Sequence, residues 1–153
     1  MISMIDKRFT LDTNILIYAI DKDAGIKHEI AMDIVDKAMF VDCVLTVQAL
    51  SEFFSAATRK GYATAEQVTL FIREWLNVFP VAGNSAHALI NAISTLSEYK
   101  LSFWDSMIWA VAKEAGCSIV LSEDFQDGHR VGGILFCNPF LEKNTKKLEE
   151  ILK

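Results

Sequence analysis

The alternation of short apolar runs with long helical patterns is the feature that most constrains how this chain can fold. Four runs have the length and composition of buried strands, and they lie at residues 9–11, 44–46, 119–121 and 134–137. Buried strands separated by helices are typical of parallel sheets, because a parallel connection must cross back over the sheet. The pattern therefore predicts an α/β domain around a mostly parallel central sheet.

Helical periodicity fills most of the sequence between these runs. The predicted helices lie at residues 14–20, 27–38, 47–60, 65–78, 86–99 and 104–115, with a short last helix at 142–152. Gly61 and Gly116 are placed to end two of them, Thr64 and Ser85 to cap two others, and Pro80 to separate the fourth helix from the next segment. Turn residues and periodicity thus indicate the same boundaries.

At 153 residues the chain has the size of one ordinary domain, and it contains no repeat, linker or low-complexity tract. We therefore expect a single domain over residues 1–153. No stretch approaches the roughly 18 consecutive apolar residues of a membrane span, and the N-terminal residues lack the apolar core of a secretion signal. Three widely separated cysteines without a C-x-x-C pair indicate reduced core residues. These features predict a cytoplasmic protein with no membrane association.

Four acidic residues adjoin strongly apolar segments, where a carboxylate is costly unless something positive neutralises it. Asp12 directly follows the first predicted strand, and Asp124 lies three residues after the end of a later one. In an open parallel sheet, ligands bind at the carboxyl ends of the strands, so both acids belong to the same edge. Glu52 lies in the helix after the second strand, and Asp105 begins a helix whose following residues are apolar. We expect the four carboxylates to converge.

Convergence of these carboxylates would require a compensating charge. Two carboxylates about 4 Å apart repel by roughly 4 kcal/mol at an effective dielectric constant of about 20. Shared protons, Lys or Arg partners, or hard cations would relieve the repulsion, and oxygen ligands without nearby His or Cys suit Mg²⁺ or Mn²⁺. The net charge of −5 argues against a broad basic surface for nucleic acid, but bound divalent cations would make the acidic edge attractive to phosphate. The simplest interpretation is one divalent-metal site.

Each acid taken singly also has an ordinary structural interpretation. Asp12 and Asp105 occupy positions where Asp often caps a helix, and Asp124 lies in a turn-rich segment. Glu52 has basic residues later in its helix with which it could pair on the surface. Their joint placement is what favours the metal site.

The acids stand in four segments of characteristic order and spacing. These are L-D-T-N at residues 11–14, Glu52 in the third helix, F-W-D-S-M at 103–107 and L-S-E-D-F-Q-D-G at 121–128. Together they resemble the PIN domain, and within it the VapC-type toxins of bacterial and archaeal toxin–antitoxin modules. The resemblance covers most of the chain. It implies a three-layer α/β/α domain and an endoribonuclease, the toxin of a type II pair, that hydrolyses RNA with water activated by one or two Mg²⁺ or Mn²⁺ ions.

The resemblance also implies roles for particular residues. The implied catalytic and metal-binding set is Asp12, Glu52, Asp105 and Asp124. Asn14 and Ser122 match positions that orient these acids through hydrogen bonds, and Asp127 is expected to support a metal through water. Glu123 is expected to point elsewhere. The implied partners are an RNA substrate, a cognate antitoxin that buries the acidic site, and a second copy of the chain.

Residues outside these motifs have candidate roles from composition and spacing alone. The cations that could meet RNA phosphates around the site are Arg59, Lys60, Lys100 and Arg130. The tryptophans at 75, 104 and 109 lie at helical spacing beside Leu, Ile and Met, which favours core or interface positions over base stacking. A wide apolar stripe in the fourth helix is a candidate homodimer contact, formed by Val68, Phe71, Ile72, Trp75, Leu76 and Phe79.

Three other functions are consistent with parts of the pattern. A Mg²⁺-dependent phosphohydrolase resembling the haloacid dehalogenases also places Asp after its first strand, but it needs a second Asp two residues later, where this chain has Asn14. A PIN-fold module that binds RNA or protein without cutting would not need the complete acidic set. A phosphoryl-receiver domain needs paired acids before its first helix and a late Lys, and the sequence shows neither.

Overall fold

A computed structural model describes residues 7–153, and this part of the chain contains six strands and seven α-helices. The strands are β1 (Phe9–Leu11), β2 (Leu45–Thr46), β3 (Val81–Ala82), β4 (Ile119–Leu121), β5 (Arg130–Val131) and β6 (Ile134–Cys137). The helices are α1 (Thr13–Ile20), α2 (Ile26–Ala38), α3 (Val47–Arg59), α4 (Ala65–Val78), α5 (Ala86–Tyr99), α6 (Phe103–Glu114) and α7 (Thr145–Ile151). Short 3₁₀ turns lie at Lys22–Ala24 and Glu142–Asn144.

The central sheet has the strand order β1-β4-β6-β5. Strands β1, β4 and β6 are parallel, with Leu11 level with Leu121 and Leu121 level with Cys137, and β5 runs antiparallel to β6 at one edge. Strands β2 and β3 form a parallel pair, which an isolated bridge between Phe9 and Cys43 joins to β1. The predicted mostly parallel α/β sheet is confirmed.

Helices cover both faces of this sheet because its strands are apolar on both sides. On β4, Ile119 and Leu121 belong to a core that α1 to α4 and α7 cover, whereas Val120 belongs to a core that α5 and α6 cover. In the first core the rings of Phe53 and Trp75 have centroids 4.9 Å apart and join α3 to α4. The layers therefore follow the expected α/β/α order.

The strand ends determine where the following loops lie. Asp12 N donates to Leu121 O at 3.0 Å, and Ser122 N donates to Cys137 O at 3.0 Å, so the hydrogen-bond ladder continues one residue beyond β1 and β4. Helix α1 begins at the same edge because Asp12 caps it, accepting a hydrogen bond from Thr13 N at 2.8 Å. The first residues after β1 and β4 are therefore neighbours at the carboxyl edge.

The helix limits agree with the sequence prediction to within one residue for α1 to α6. Thr64 and Ser85 cap α4 and α5 as predicted. Gly61 and Gly116 follow α3 and α6 with φ angles of 72° and 82°, a backbone conformation that suits glycine. The predicted helix at 142–152 is instead a 3₁₀ turn followed by the shorter α7.

Strands β3 and β5 are absent from the sequence prediction. Each has two residues, which is too few for any apolar alternation to show. Strand β2 is also shorter than the predicted run at 44–46, because Val44 lies outside the paired segment. Short strands of this kind form through pairing with a neighbouring strand, and the local sequence does not specify which strand that is.

Of the tryptophans expected at core or interface positions, Trp75 and Trp109 lie in the core, 5% and 6% exposed, whereas Trp104 is 60% exposed and lies outside it. In the apolar stripe of α4, Trp75 and Phe79 are buried in the core, and Leu76 is 50% exposed. Much of the stripe predicted as a homodimer contact is therefore a core face.

No helix among residues 7–153 is both long and apolar enough to cross a membrane. Cys43, Cys117 and Cys137 are buried and free, as expected for core thiols. Burial raises the pKa of Cys117 to about 12 and the pKa of Cys137 to about 11, so neither thiol ionises at neutral pH.

Candidate active site

A hydrogen-bond network joins Asp12 to Asp124 across the carboxyl edge of the sheet. Ser122 Oγ donates to Asp12 Oδ2 at 2.7 Å and accepts from Asp124 N at 3.1 Å. Asn14 Nδ2 lies 3.4 Å from Asp12 Oδ2, 3.1 Å from Asp124 Oδ2 and 3.1 Å from Ser122 Oγ. The two residues expected to orient the acids thus contact both of them.

Glu52 reaches the same region from α3. Its Oε2 accepts a hydrogen bond from Thr13 Oγ1 at 3.1 Å, and Thr13 directly follows Asp12. Its Oε1 accepts from Gln48 Nε2 at 3.0 Å, one turn earlier on the same face of α3. Within the described part of the chain no ion pair joins Glu52 to Arg59 or its neighbours, so the surface pairing considered from sequence does not form there.

Asp105 lies in the first turn of α6 but does not cap it. The cap is Ser102, whose Oγ accepts from Asp105 N at 3.1 Å. Burial raises the pKa of Asp105, its hydrogen bond with Ser102 lowers it, and the charges of Asp124 and Glu52 raise it further. The charges of Asp124 and Glu52 also raise the pKa of Asp12, so these two acids act on both Asp12 and Asp105.

Asp12 is only 5% exposed. Burial raises its pKa from 3.8 to about 6, hydrogen bonds from Ser122 and Thr13 N lower it, and the charges of Asp124 and Glu52 add smaller upward shifts. A carboxyl group whose folded pKa exceeds its unfolded value opposes folding once it ionises. Perturbation of this kind by burial and like charges is typical of functional sites.

The donor atoms at this edge suit a small hard cation. The four acids offer carboxylate oxygens, which Mg²⁺ and Mn²⁺ prefer, and Gln48 Oε1 is buried beside Glu52 without a hydrogen-bond partner. Among residues 7–153, however, no three His, Cys, Asp or Glu side chains converge closely enough to hold an ion together. Mg²⁺ commonly takes one or two carboxylates and keeps several waters, so the linked pair of Asp12 and Asp124 fits it best.

Comparison with known proteins connects this geometry to a family. The model of the PIN domain family matches residues 9–131, from β1 to β5. The chain belongs to the PIN domain family. The matched segment includes all four acids together with the network residues Asn14 and Ser122.

Solved structures share the PIN fold at low sequence identity. VapC20, a sarcin–ricin loop cleaving toxin of Mycobacterium tuberculosis, is 16% identical over 76% of this chain and 89% of its own, with a TM-score of 0.61. A toxin–antitoxin complex from Klebsiella pneumoniae is 23% identical over 86% of this chain and 97% of its own, with a TM-score of 0.62. VapBC2 from Rickettsia felis, bound to a DNA fragment from its promoter, is 15% identical over 84% of this chain and 96% of its own, with a TM-score of 0.63. No curated protein matches the sequence.

In this PIN domain, Asp127 lies outside the hydrogen-bond network that joins Asp12 to Asp124. Its Oδ1 accepts from Asn138 N and from Asn144 Nδ2, both at 2.8 Å, and its Oδ2 pairs with Lys143 Nζ at 3.3 Å. Burial raises the pKa of Asp127, but the hydrogen bonds from Asn138, Asn144 and Lys143 outweigh burial and lower it overall. These contacts tie the C-terminal segment to the end of β6, so they indicate a structural role in place of the expected support of a metal through water.

Replacing Asp127 by Ala is expected to lower the free energy of unfolding by about 2 kcal/mol, because two donors lose their acceptor. The folded pKa of Asp127 is lowered, so its contribution is present above the unfolded pKa and is lost as the pH falls. Urea unfolding at pH 7 and at acid pH should therefore show a deficit that shrinks in acid. An Asp127→Ala protein of unchanged stability that has lost metal binding would contradict the structural role.

The sequence prediction assigns no role to Thr13 or Gln48, although both bind Glu52. Thr13 lies between two motif residues, and Gln48 precedes Glu52 by four residues, so helical spacing was the available signal. Glu123 points away from Asp124, as expected, because it accepts hydrogen bonds from Tyr18 and Lys27. These contacts hold the loop after β4 against α1 and α2.

The candidate RNA-contacting cations of this PIN domain are exposed, namely Arg59, Lys60, Lys100 and Arg130. None of the four forms an ion pair with any acid among residues 7–153. Arg59 follows Glu52 by seven residues and therefore shares its face of α3. The structure thus leaves these charges available to solvent, with Arg59 about two turns beyond Glu52 along α3.

Proposed function

We propose that this PIN domain is a metal-dependent endoribonuclease that hydrolyses RNA phosphodiesters. The observation that carries the proposal is the network in which Asn14 and Ser122 bind both Asp12 and Asp124. Burial raises the pKa of Asp12 to about 6, so the ionised acid destabilises the fold it belongs to. Packing alone does not account for such a group, whereas a cation-binding role does.

In this proposal Asp12 and Asp124 hold the cation, and Glu52 and Asp105 supply further carboxylates at the same edge. When bound, a divalent cation offsets the charge of the phosphate and makes water acidic enough to be the nucleophile near neutral pH. The hydrogen bonds from Asn14 and Ser122 keep the carboxylates in place, as groups that orient metal ligands commonly do. Asp12 must be ionised to act, and a pKa of about 6 meets that condition at neutral pH.

The buried hydroxyl of Ser122 is not a nucleophile in this mechanism. It donates to Asp12 and accepts from Asp124 N and Asn14 Nδ2, so its hydrogen-bonding capacity is used. Thr13 Oγ1 is likewise engaged with Glu52 and the Ala49 carbonyl. Hydrolysis by activated water needs neither hydroxyl, which agrees with their roles as donors to the acids.

We also propose that the protein is the toxin of a type II toxin–antitoxin pair and that it forms a homodimer. Similar folds from Klebsiella pneumoniae and Rickettsia felis occur in toxin–antitoxin complexes, which supports an antitoxin partner. Arg or Lys of that partner would neutralise the acidic edge through charge-assisted hydrogen bonds. A second copy would cover an apolar concavity of about 500 Å³ between α3 and α4, lined in part by Val47, Phe54 and Leu76. Full cleavage of RNA at saturating antitoxin would contradict the proposed toxin–antitoxin pair.

Purified protein is expected to cut mixed cellular RNA in Mg²⁺ or Mn²⁺ and to leave it intact in EDTA, as gel electrophoresis would show. An Asp124→Asn preparation is the matched control, since Asp124 is exposed and its replacement should leave the fold intact. Loss of cleavage in this variant excludes a contaminating nuclease. Intact RNA under every condition, with metal binding shown by calorimetry, would contradict the nuclease and favour a non-cutting module.

The phosphohydrolase alternative lacks its second acid. Position 14 is an amide that donates to Asp12 and Asp124, where a haloacid dehalogenase-like enzyme needs a carboxylate. Hydrolysis of a small phosphate monoester by the purified protein, without cleavage of RNA, would nevertheless restore that alternative. The RNA assay and a monoester assay on one preparation therefore distinguish the two functions.

A further inference from the structure

Trp104 is an exposed aromatic residue beside the acidic edge. It is 60% exposed, although Trp is among the more buried residue types on average. It lies in the first turn of α6, directly before Asp105. Its carbonyl oxygen accepts from Gln48 Nε2 at 3.1 Å, and the same nitrogen donates to Glu52 Oε1 at 3.0 Å. One amide group therefore links the backbone of Trp104 to a candidate metal-binding carboxylate.

The indole of Trp104 is held without being covered. Phe103, which packs against the core under α5 and α6, meets the Trp104 ring edge to face, with centroids 4.9 Å apart and planes at 74°. An edge-to-face neighbour restricts the orientation of a ring and occupies at most one of its faces. Exposure of 60% shows that much of the indole remains available to a ligand.

Trp104 forms one wall of a concavity of about 460 Å³. Most of its surface is apolar, and Gln48, Glu52 and Asn84 are among the other residues that line it. A ligand that fits this concavity needs a flat face for the indole and a polar edge for the amides. A nucleobase has both, and single-stranded RNA presents its bases in this way.

We propose that Trp104 stacks a base of single-stranded RNA and so fixes the position of the strand relative to the acidic edge. This inference rests on the proposed nuclease function and names how its substrate is held. The net charge of −5 argues against a broad basic face as the source of affinity. Stacking supplies affinity without basic residues and tolerates any base, so Trp104 sets register and contributes little sequence preference.

The first test compares cleavage of a short single-stranded oligoribonucleotide by three variants and the unmodified protein. Trp104→Ala is expected to raise KM by about 5- to 150-fold, the range that loss of one stacked base gives, with a smaller effect on kcat. Trp104→Phe should recover part of the loss. Phe40→Ala is the matched control, because Phe40 is an 86% exposed aromatic residue that precedes β2 and lies towards the amino edge of the sheet.

The second test measures stacking directly through the fluorescence of the full chain. Ca²⁺, which also takes oxygen ligands, replaces Mg²⁺ in this test. Trp75 and Trp109 are buried, so the exposed indole of Trp104 should dominate any quenching by an added oligoribonucleotide. We expect quenching in the unmodified protein and in Phe40→Ala, and none in Trp104→Phe. An abasic oligomer of equal length and charge should quench much less, because it has no base to stack.

The outcomes separate this inference from the function on which it rests. An unchanged KM in Trp104→Ala, or quenching that survives in Trp104→Phe, would overturn the stacking site while leaving the nuclease intact. Base-dependent quenching by a protein that cuts no RNA would support the stacking site and overturn the nuclease. Absence of quenching by any oligonucleotide would overturn the stacking site, and equal thermal midpoints would show that the variants are folded.

Discussion

Asp12→Asn is expected to abolish RNA cleavage and, in the absence of metal, to stabilise the protein. Activity should fall by about 100- to 1,000-fold or more, since a neutral ligand loses several kcal/mol of transition-state stabilisation. Burial raises the pKa of Asp12 from 3.8 to about 6. The ionised group therefore costs about 3 kcal/mol of stability at pH 8, which the amide avoids.

Part of that gain is offset at Ser122. Its Oγ already accepts from Asn14 Nδ2 and Asp124 N, so a further amide donor at position 12 is poorly placed. We expect a net gain of about 1 to 2 kcal/mol in the free energy of urea unfolding at pH 8 in EDTA. Opposite changes in activity and stability are the expected signature of a residue placed for function.

The pH dependence of this effect has a definite sign. Between pH 3.8 and about 6 the folded state holds a proton on Asp12 that the unfolded state has lost, so the stability contributed by this group falls as the pH rises. The gain in Asp12→Asn should therefore be largest at pH 8 and small at pH 4. Asp36→Asn, at an exposed acid on α2, is the matched control and should change neither property. A destabilised Asp12→Asn protein at pH 8 would indicate that Asp12 serves the fold.

The strands of the central sheet were predictable where burial on both faces left a continuous apolar run. Ile119, Val120 and Leu121 are all buried, and they alternate between the two cores. Strands β3 and β5 have two residues each and exist through pairing with β2 and β6. No local pattern specifies such a partner. Helix ends were predictable because Thr64 and Ser85 make their capping bonds within four residues.

The acidic edge was predictable to the extent that topology determines it. Residues that directly follow parallel neighbouring strands lie side by side at the carboxyl edge. Asp12 and Ser122 each follow such a strand, so their proximity can be inferred from their positions in the sequence. The hydrogen-bond partners of Asp127, by contrast, lie 11 and 17 residues away in sequence and could not be inferred from the turn that contains it. The sequence left core and interface positions open for Trp104, because helical spacing shows which residues share a face but not which of them a neighbouring element covers.

Asn14→Asp is expected to destabilise the metal-free protein strongly without adding bulk. Asn14 Nδ2 is 3.4 Å from Asp12 Oδ2 and 3.1 Å from Asp124 Oδ2, so a carboxylate oxygen there would face two others. Each such contact repels by roughly 5 kcal/mol at an effective dielectric constant of about 20, before solvent and proton uptake relieve it. We expect a net loss of about 3 kcal/mol in the free energy of unfolding at pH 8 in EDTA.

The dependence of that loss on pH and metal tests the cation site without any cleavage assay. A third carboxylate raises the folded pKa values of the group, so the deficit is present above the unfolded pKa values and shrinks as the pH falls. Mg²⁺ should restore part of the stability at pH 8, because a bound cation reverses the local repulsion. Asn14→Ala removes the donor without adding charge, so its smaller deficit should depend less on pH. A deficit in Asn14→Asp that neither acid nor Mg²⁺ relieves would contradict a divalent-cation site at this edge.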